Sequence, residues 1–279
     1  MIWRWLICFN RLLKKRRAAN DGRESLSRSF RGIGLLACLS LFQQPVYVLG
    51  VWLAVPRLVP AATVSGRVAI TDSRDTAVQK RHDYGGVVLW LEPIGHPAPS
   101  TDDPKRAQMI QKEKRFQPHV LAIEVGGTVD FPNLDPIFHN AFSNFSGQPF
   151  DVSLYPPGTT RSVTFTRPGI VRVFCNIHST MSAIICVLST PWFAVTPQSG
   201  AFRIAGVPPG DYQLRVFQEH ALPEHLKSIE RRISVGEGDL ELPPISISEA
   251  GYIPAPHLNK YGLEYPPLPV DGAYPGAPR

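Results

Sequence analysis

Cysteine and methionine are scarce in this chain, with four Cys and three Met in 279 residues. Cys8 and Cys38 fall within the first 62 residues, so the remainder holds only Cys175 and Cys186, and the most a disulfide framework could contain is one bridge. A long apolar run with a clear 3.6-residue period is missing, which argues against a helical fold. No internal repeat is present. No hydrolytic or acid–base constellation stands out, so a substrate-transforming enzyme is not expected. The net charge of +6 invites a nucleic-acid reading, but ten Lys and Arg against Asp21 and Glu24 sit in residues 1–62. The remaining 217 residues carry 19 basic and 21 acidic side chains, a formal charge of −2, so that reading loses its support and no nucleic-acid partner is expected.

That basic N-terminal stretch precedes 25 uncharged, mostly apolar residues from Gly32 to Pro56. Basic residues followed by an apolar run describe an export signal, or an uncleaved anchor whose basic end stays in the cytoplasm. Gln43, Gln44 and Pro45 interrupt the run, and Val59-Pro60-Ala61 offers small residues for cleavage after Ala61. The cleaved signal is therefore favoured. Everything beyond about residue 62 is expected to be exported to the periplasm, with a membrane contact only through residues 1–62 if they are retained.

The exported part reads as strands and turns. Alternating or β-branched runs occupy Thr63–Ile70, Gly86–Leu91, Val120–Val125, Thr128–Phe131, Ser162–Phe165, Ile170–Phe174 and Ala183–Leu188. Gly126-Gly127 and Arg167-Pro168-Gly169 are turn signals between them, and both read as hairpins. His220–Ile233 is the best helical candidate. Many short strands at even spacing predict an all-β antiparallel sandwich over residues 63–190. A second unit, residues 191–250, centres on Ala201–Val207, a Pro208-Pro209-Gly210 turn and Asp211–Phe217. Phe202 and Ile204 share one strand face, as do Tyr212, Leu214 and Val216. The segment is similar to the small β-domain of carboxypeptidase regulatory regions. Residues 251–279 form a tail, and Ile253–Arg279 holds seven prolines in 27 residues, predicting a mobile or surface-hugging extension.

The segment that carries chemistry is Phe174-Cys175-Asn176-Ile177-His178-Ser179-Thr180-Met181. A thiolate, an imidazole and a thioether fall within seven residues directly after an apolar strand. Soft sulfur favours Cu(I) and imidazole favours Cu(II), so two His and one Cys with a weak axial Met suit a copper that changes oxidation state. Zinc can occupy a Cys/His/His site, but a methionine at ligand spacing serves copper. The second imidazole must come from elsewhere. His139, in Phe131-Pro132-Asn133-Leu134-Asp135-Pro136-Ile137-Phe138-His139-Asn140, and His119 are the candidates. The bland alternative for Cys175 is a disulfide to Cys186. Across a hairpin whose loop begins at Cys175, Cys186 would lie roughly 13 Å along the strand, beyond the ~7 Å that a bridge tolerates. Cys186 reads as a small buried apolar side chain. His82, His96, His220, His225 and His257 read as surface residues.

Both segments resemble the amicyanin and plastocyanin branch of the cupredoxins, over roughly residues 106–190. There a His-Asn pair provides the first ligand and a Cys-x-x-His loop ending in Met provides the others. The resemblance implies a Greek-key β-sandwich and a single copper per chain held by His139, Cys175, His178 and Met181. It also implies that Asn140 ties the His139 segment to the ligand loop. The gap from His178 to Met181 matches the short amicyanin loop. Val171 stands where a dinuclear relative needs a second cysteine, which disfavours a two-copper centre. The loop departs from amicyanin in carrying Asn176, Ile177, Ser179 and Thr180 rather than a proline beside the ligand His. Exported proteins with this kind of domain include some labelled for methylamine utilisation. The expected role is electron transfer with a redox protein as donor or acceptor. Copper delivery or storage, and a cell-envelope scaffold built on residues 191–250, are the alternatives.

Overall fold

The computed structural model describes residues 61–99, 105–144 and 147–266. The expected export segment, residues 1–62, lies outside the described residues up to position 60, as do tail residues 267–279. Among the described residues no helix is long and apolar enough to cross a membrane.

Strand β1 (Ala62–Thr71) leads through α1 (Thr76–Arg81) to β2 (Val88–Pro93). Next come β3 (Arg106–Gln108), β4 (Ile110–Lys112), β5 (Arg115–Gln117), β6 (Val120–Glu124) and β7 (Thr128–Pro132). They are followed by β8 (Phe142–Ser143), β9 (Phe150–Asp151), β10 (Thr160–Thr164), β11 (Gly169–Phe174) and β12 (Ser182–Leu188). The chain continues with β13 (Phe193–Val195), β14 (Ala201–Val207) and β15 (Gly210–Phe217). Helix α2 (Pro223–Ile229), β16 (Arg231–Val235), β17 (Leu240–Glu241) and β18 (Ile245–Ser248) complete it.

The expected all-β sandwich is present. One sheet runs β6-β12-β11-β8-β9 and a second runs β10-β7-β3. Between them lies a core that includes Met109, Phe131, Val129, Phe165, Val173, Ile185 and Val187. Strand alternation puts these side chains on the inner faces. β12 is buried on both sides: Ala183, Ile185 and Val187 enter this core, while Ile184, Cys186 and Leu188 pack with Val88 and Val120 on the other. A strand buried on both faces must be apolar at every position, which is how Ala183–Leu188 reads.

A second sandwich pairs the sheet β13-β2-β15-β16 with the sheet built around β1, where β14, β17 and β18 are its neighbours. Its core holds Phe202 and Ile204, and Tyr212, Leu214 and Val216, the two sets expected to share strand faces. Strands β1 and β2, assigned on the sequence to the first unit, hydrogen-bond here: β1 to β14, β17 and β18, and β2 to β13 and β15. Their partners lie more than a hundred residues downstream, a distance that no local pattern reports.

Three local expectations are corrected. Neither Gly126-Gly127 nor Arg167-Pro168-Gly169 makes a hairpin, because β6 pairs with β12, β7 with β10, and β11 with β12 and β8. Gly126 has φ +91°. A Cβ on Gly127 would meet Ile123 Cγ1 at 2.4 Å, so this turn passes the chain tightly from one sheet to the other. The helical candidate His220–Ile233 contains only the seven-residue α2. Arg231–Val235 is a strand that pairs with β15 and turns Ile233 and Val235 into the second core.

Candidate metal centre

Cys175 follows β11 directly, and Met181 precedes β12, so the chemistry-bearing segment is the loop joining two paired strands. The loop is closed on itself. Cys175 N donates to the Met181 carbonyl at 3.2 Å, and Met181 N donates to the His178 carbonyl at 3.1 Å. The second imidazole comes from the segment that leads into β8, the strand beside β11. His139 exchanges backbone hydrogen bonds with Tyr155 at 3.2 and 2.9 Å. Tyr155, itself buried, donates its hydroxyl to the Phe131 carbonyl at 2.9 Å, which anchors this stretch on the end of β7.

The fold brings His139, Cys175 and His178 together, with one donor atom from each within 4.8 Å of the others. Both imidazoles present Nδ1 to the sulfur, His139 at 3.9 Å and His178 at 3.6 Å. Metal–nitrogen and metal–sulfur bonds of about 2.0 and 2.3 Å at trigonal angles put neighbouring ligand atoms roughly 3.7 Å apart. The observed separations fit one ion. Met181 is fully buried in the same core cluster as Cys175. His119, the rival imidazole, lies elsewhere, with Nδ1 on the Ser182 carbonyl and Nε2 on Glu219.

Electrostatics favour neutral imidazoles here. Burial pushes the His139 imidazole down, against the pull of Asp135. Burial and the nearby charges of His139 and Lys114 push His178 down to about 4. Burial also pushes the Cys175 thiol up, against the backbone amides of Ile177, Asn140 and His178. Both imidazoles are therefore neutral at pH 7, and the thiol keeps its proton.

Asn140 links the His139 segment to the loop that follows Cys175. Its Oδ1 accepts from Asn176 N at 3.3 Å, and its Nδ2 donates to Asp151 at 2.7 Å. Sequence reading missed Asp135. Its carboxylate accepts from His139 Nε2 at 2.7 Å and from the amides of Glu113 at 2.6 Å and Lys114 at 2.8 Å. Burial works to raise Asp135, but those amides and the imidazole outweigh it and the carboxyl is held low. A carboxylate on the far nitrogen fixes the tautomer that leaves Nδ1 free for a metal. The signal was an acid four residues before the histidine in a turn-rich segment. Cys175 and Cys186 are both free and buried, facing opposite sides of the sheet.

No protein-family model and no curated protein sequence matches this chain. Solved cupredoxins do align with part of it. A purple cupredoxin from Nitrosopumilus maritimus aligns at 24% identity, over 29% of this chain and 99% of its own, with a TM-score of 0.27. Amicyanin from Paracoccus versutus aligns at 17% identity over 35% and 97%, with a TM-score of 0.28. A copper-containing nitrite reductase from Thermus scotoductus SA-01 aligns at 26% identity, with a TM-score of 0.30. That alignment covers 43% of this chain and only 28% of the reductase.

Other histidines depart from the surface reading. His82 and His96 are exposed as expected, whereas His220, His225 and His257 are half-buried. His225 Nε2 accepts from Ser248 N at 2.9 Å, and His257 stacks on Phe174 at 4.1 Å. Local polarity misled here, because each is covered by a segment distant in sequence.

Proposed function

We propose that this chain is a type 1 (blue) copper protein of the periplasm that transfers electrons, with His139, Cys175, His178 and Met181 as ligands and Asn140 supporting them. The observation that carries this is the meeting of one thiol and two neutral imidazoles, each Nδ1 turned to the sulfur, in an apolar core that includes a buried methionine. Such a donor set lets a single copper pass one electron, since sulfur favours Cu(I) and imidazole favours Cu(II). The chain's own part is to keep the ligands in place through both states. Asp135 and Tyr155 hold His139, the loop hydrogen bonds hold Cys175 and His178, and full burial keeps water from the sulfur.

Leu134, Phe138 and Leu154 are exposed beside the His139 segment and supply the apolar surface on which a redox protein would dock. The periplasmic assignment is supported by the basic and then apolar N-terminal stretch. The second sandwich, with its likeness to carboxypeptidase regulatory domains, would act as support or docking module. Copper delivery fits less well, because a ligand set with His139 and Cys175 at 0% exposure is poorly placed to hand an ion to an acceptor.

A sample loaded with Cu(II) should turn intensely blue through thiolate-to-copper charge transfer, and Cys175→Ala should abolish the colour. A colourless loaded protein, or colour that survives this substitution, would sink the reading. Transfer of copper to an acceptor with no electron exchange would instead favour delivery.

A further inference from the structure

The proline-rich tail is tied to the ligand loop by polar contacts. The Cys175 carbonyl accepts a hydrogen bond from Tyr265 Oη at 2.8 Å. The N–H of the same peptide unit, on Asn176, donates to Asn140 Oδ1 at 3.3 Å. The peptide plane next to the sulfur ligand is thus held at both polar atoms, once by the neighbour of His139 and once by the tail.

Further contacts close a ring. Lys260 N donates to Asn176 Oδ1 at 2.9 Å, and Lys260 Nζ reaches Asp151 Oδ2 at 2.8 Å. Asp151 Oδ1 accepts from Asn140 Nδ2 at 2.7 Å, which returns the path to Asn176. The tail is shaped for this. Asn259 Oδ1 accepts from the amides of Tyr261 at 2.9 Å and Leu263 at 3.1 Å, and Gly262 takes φ +75°. That tight turn presents Lys260, whose carbonyl accepts from Asn144 Nδ2 at 3.2 Å. The His257 ring lies on Phe174 at an interplanar angle of 26°, and Tyr265 packs edge-on to His257. Phe174, Cys175 and Asn176 are therefore each held by the tail.

Apolar packing does not explain this attachment. Ile253, Leu258, Tyr261 and Leu263 are exposed, so the tail turns these side chains to solvent, and its polar groups and the His257 ring to the loop.

We propose that the tail segment 251–266 is a clamp on the metal centre, in which Tyr265 and Lys260 are positioning residues that hold the Cys175–Asn176 peptide. The clamp shields the Cys175 sulfur and slows metal loss. Its effect on copper rests on the function proposed above, but its effect on the thiol exists without metal.

The test uses the full chain with Tyr265→Phe and, separately, Lys260→Met. In the metal-free protein, iodoacetamide alkylation is followed at Cys175 by peptide mass spectrometry, with Cys186 as internal reference. In the copper-loaded protein, the rate of Cu(II) loss to a chelator and the paramagnetic hyperfine splitting are measured. Outer contacts of ligands are worth about 10–100-fold in metal affinity. Roughly tenfold faster alkylation of Cys175 alone, tenfold faster copper loss and an altered hyperfine splitting are expected. Rates within about twofold of the parent in both variants overturn the clamp, as does equal acceleration at Cys186, which marks general loosening. If the parent chain takes up no copper, the function proposed above falls and the alkylation ratio alone decides the clamp.

Discussion

At the scale of single residues, burial sets the chemistry of the centre. His139 and His178 are held neutral and Cys175 is held protonated, all mainly by removal from water. Binding a cation then displaces a proton only from sulfur. Copper uptake at pH 7 should release about one proton per chain rather than three. Calorimetric titration in buffers with different ionisation heats measures that number directly. The apparent affinity should rise about tenfold per pH unit between pH 7 and pH 8, and more steeply below about 4, where His178 also competes for protons. Replacing Asp135 by Asn removes the charged acceptor from His139 Nε2. Roughly tenfold weaker copper binding is expected from that change, measured by competition with a chelator.

At the scale of elements, the loop between β11 and β12 was legible because Cys175, His178 and Met181 sit in one short stretch after an apolar strand. Gly126-Gly127 was legible as a turn and misread as a hairpin, because a turn signal does not say which sheet the next strand joins. The same pair allows a test. A methyl group on Gly127 would meet the buried Ile123 side chain at 2.4 and 2.5 Å and the Glu124 carbonyl at 2.9 Å. A backbone atom cannot step aside, so Gly127→Ala should destabilise the chain by about 1–3 kcal/mol. Chemical denaturation gives the value, and an unchanged midpoint would contradict the tight crossing described.

At the scale of the whole described molecule, the two cores meet along Val88, Val120, Ile184, Cys186 and Leu188. Beside this seam His119 Nε2 contacts Glu219, and a cleft of about 980 Å³ opens there. The hydrogen bond to Glu219 raises His119. Burial opposes ionisation of Glu219, but His119 and its other cationic neighbours outweigh it and hold the carboxyl low. The stabilisation is therefore present below the ordinary histidine value of 6.5 and fades as pH rises through the higher folded value. Glu219 stays ionised throughout that window. His119→Gln should cost more stability at pH 6 than at pH 9. The difference should stay near or below about 1 kcal/mol, because the His119 side chain is half exposed and solvent screens the pair. Equal losses at both pH values would contradict this account.

The sequence alone determined what depends on neighbours in the chain: strands by alternation, turns by glycine and proline, and three donor side chains on one loop. The tertiary structure decided what depends on long-range pairing. It brought His139 rather than His119 to Cys175, took β1 and β2 into the second core, and laid the tail on the Cys175 peptide. Local preferences act over a few residues, whereas these contacts join segments from 36 to over a hundred positions apart. Their partners are selected by sheet register and by which buried polar groups remain to be satisfied.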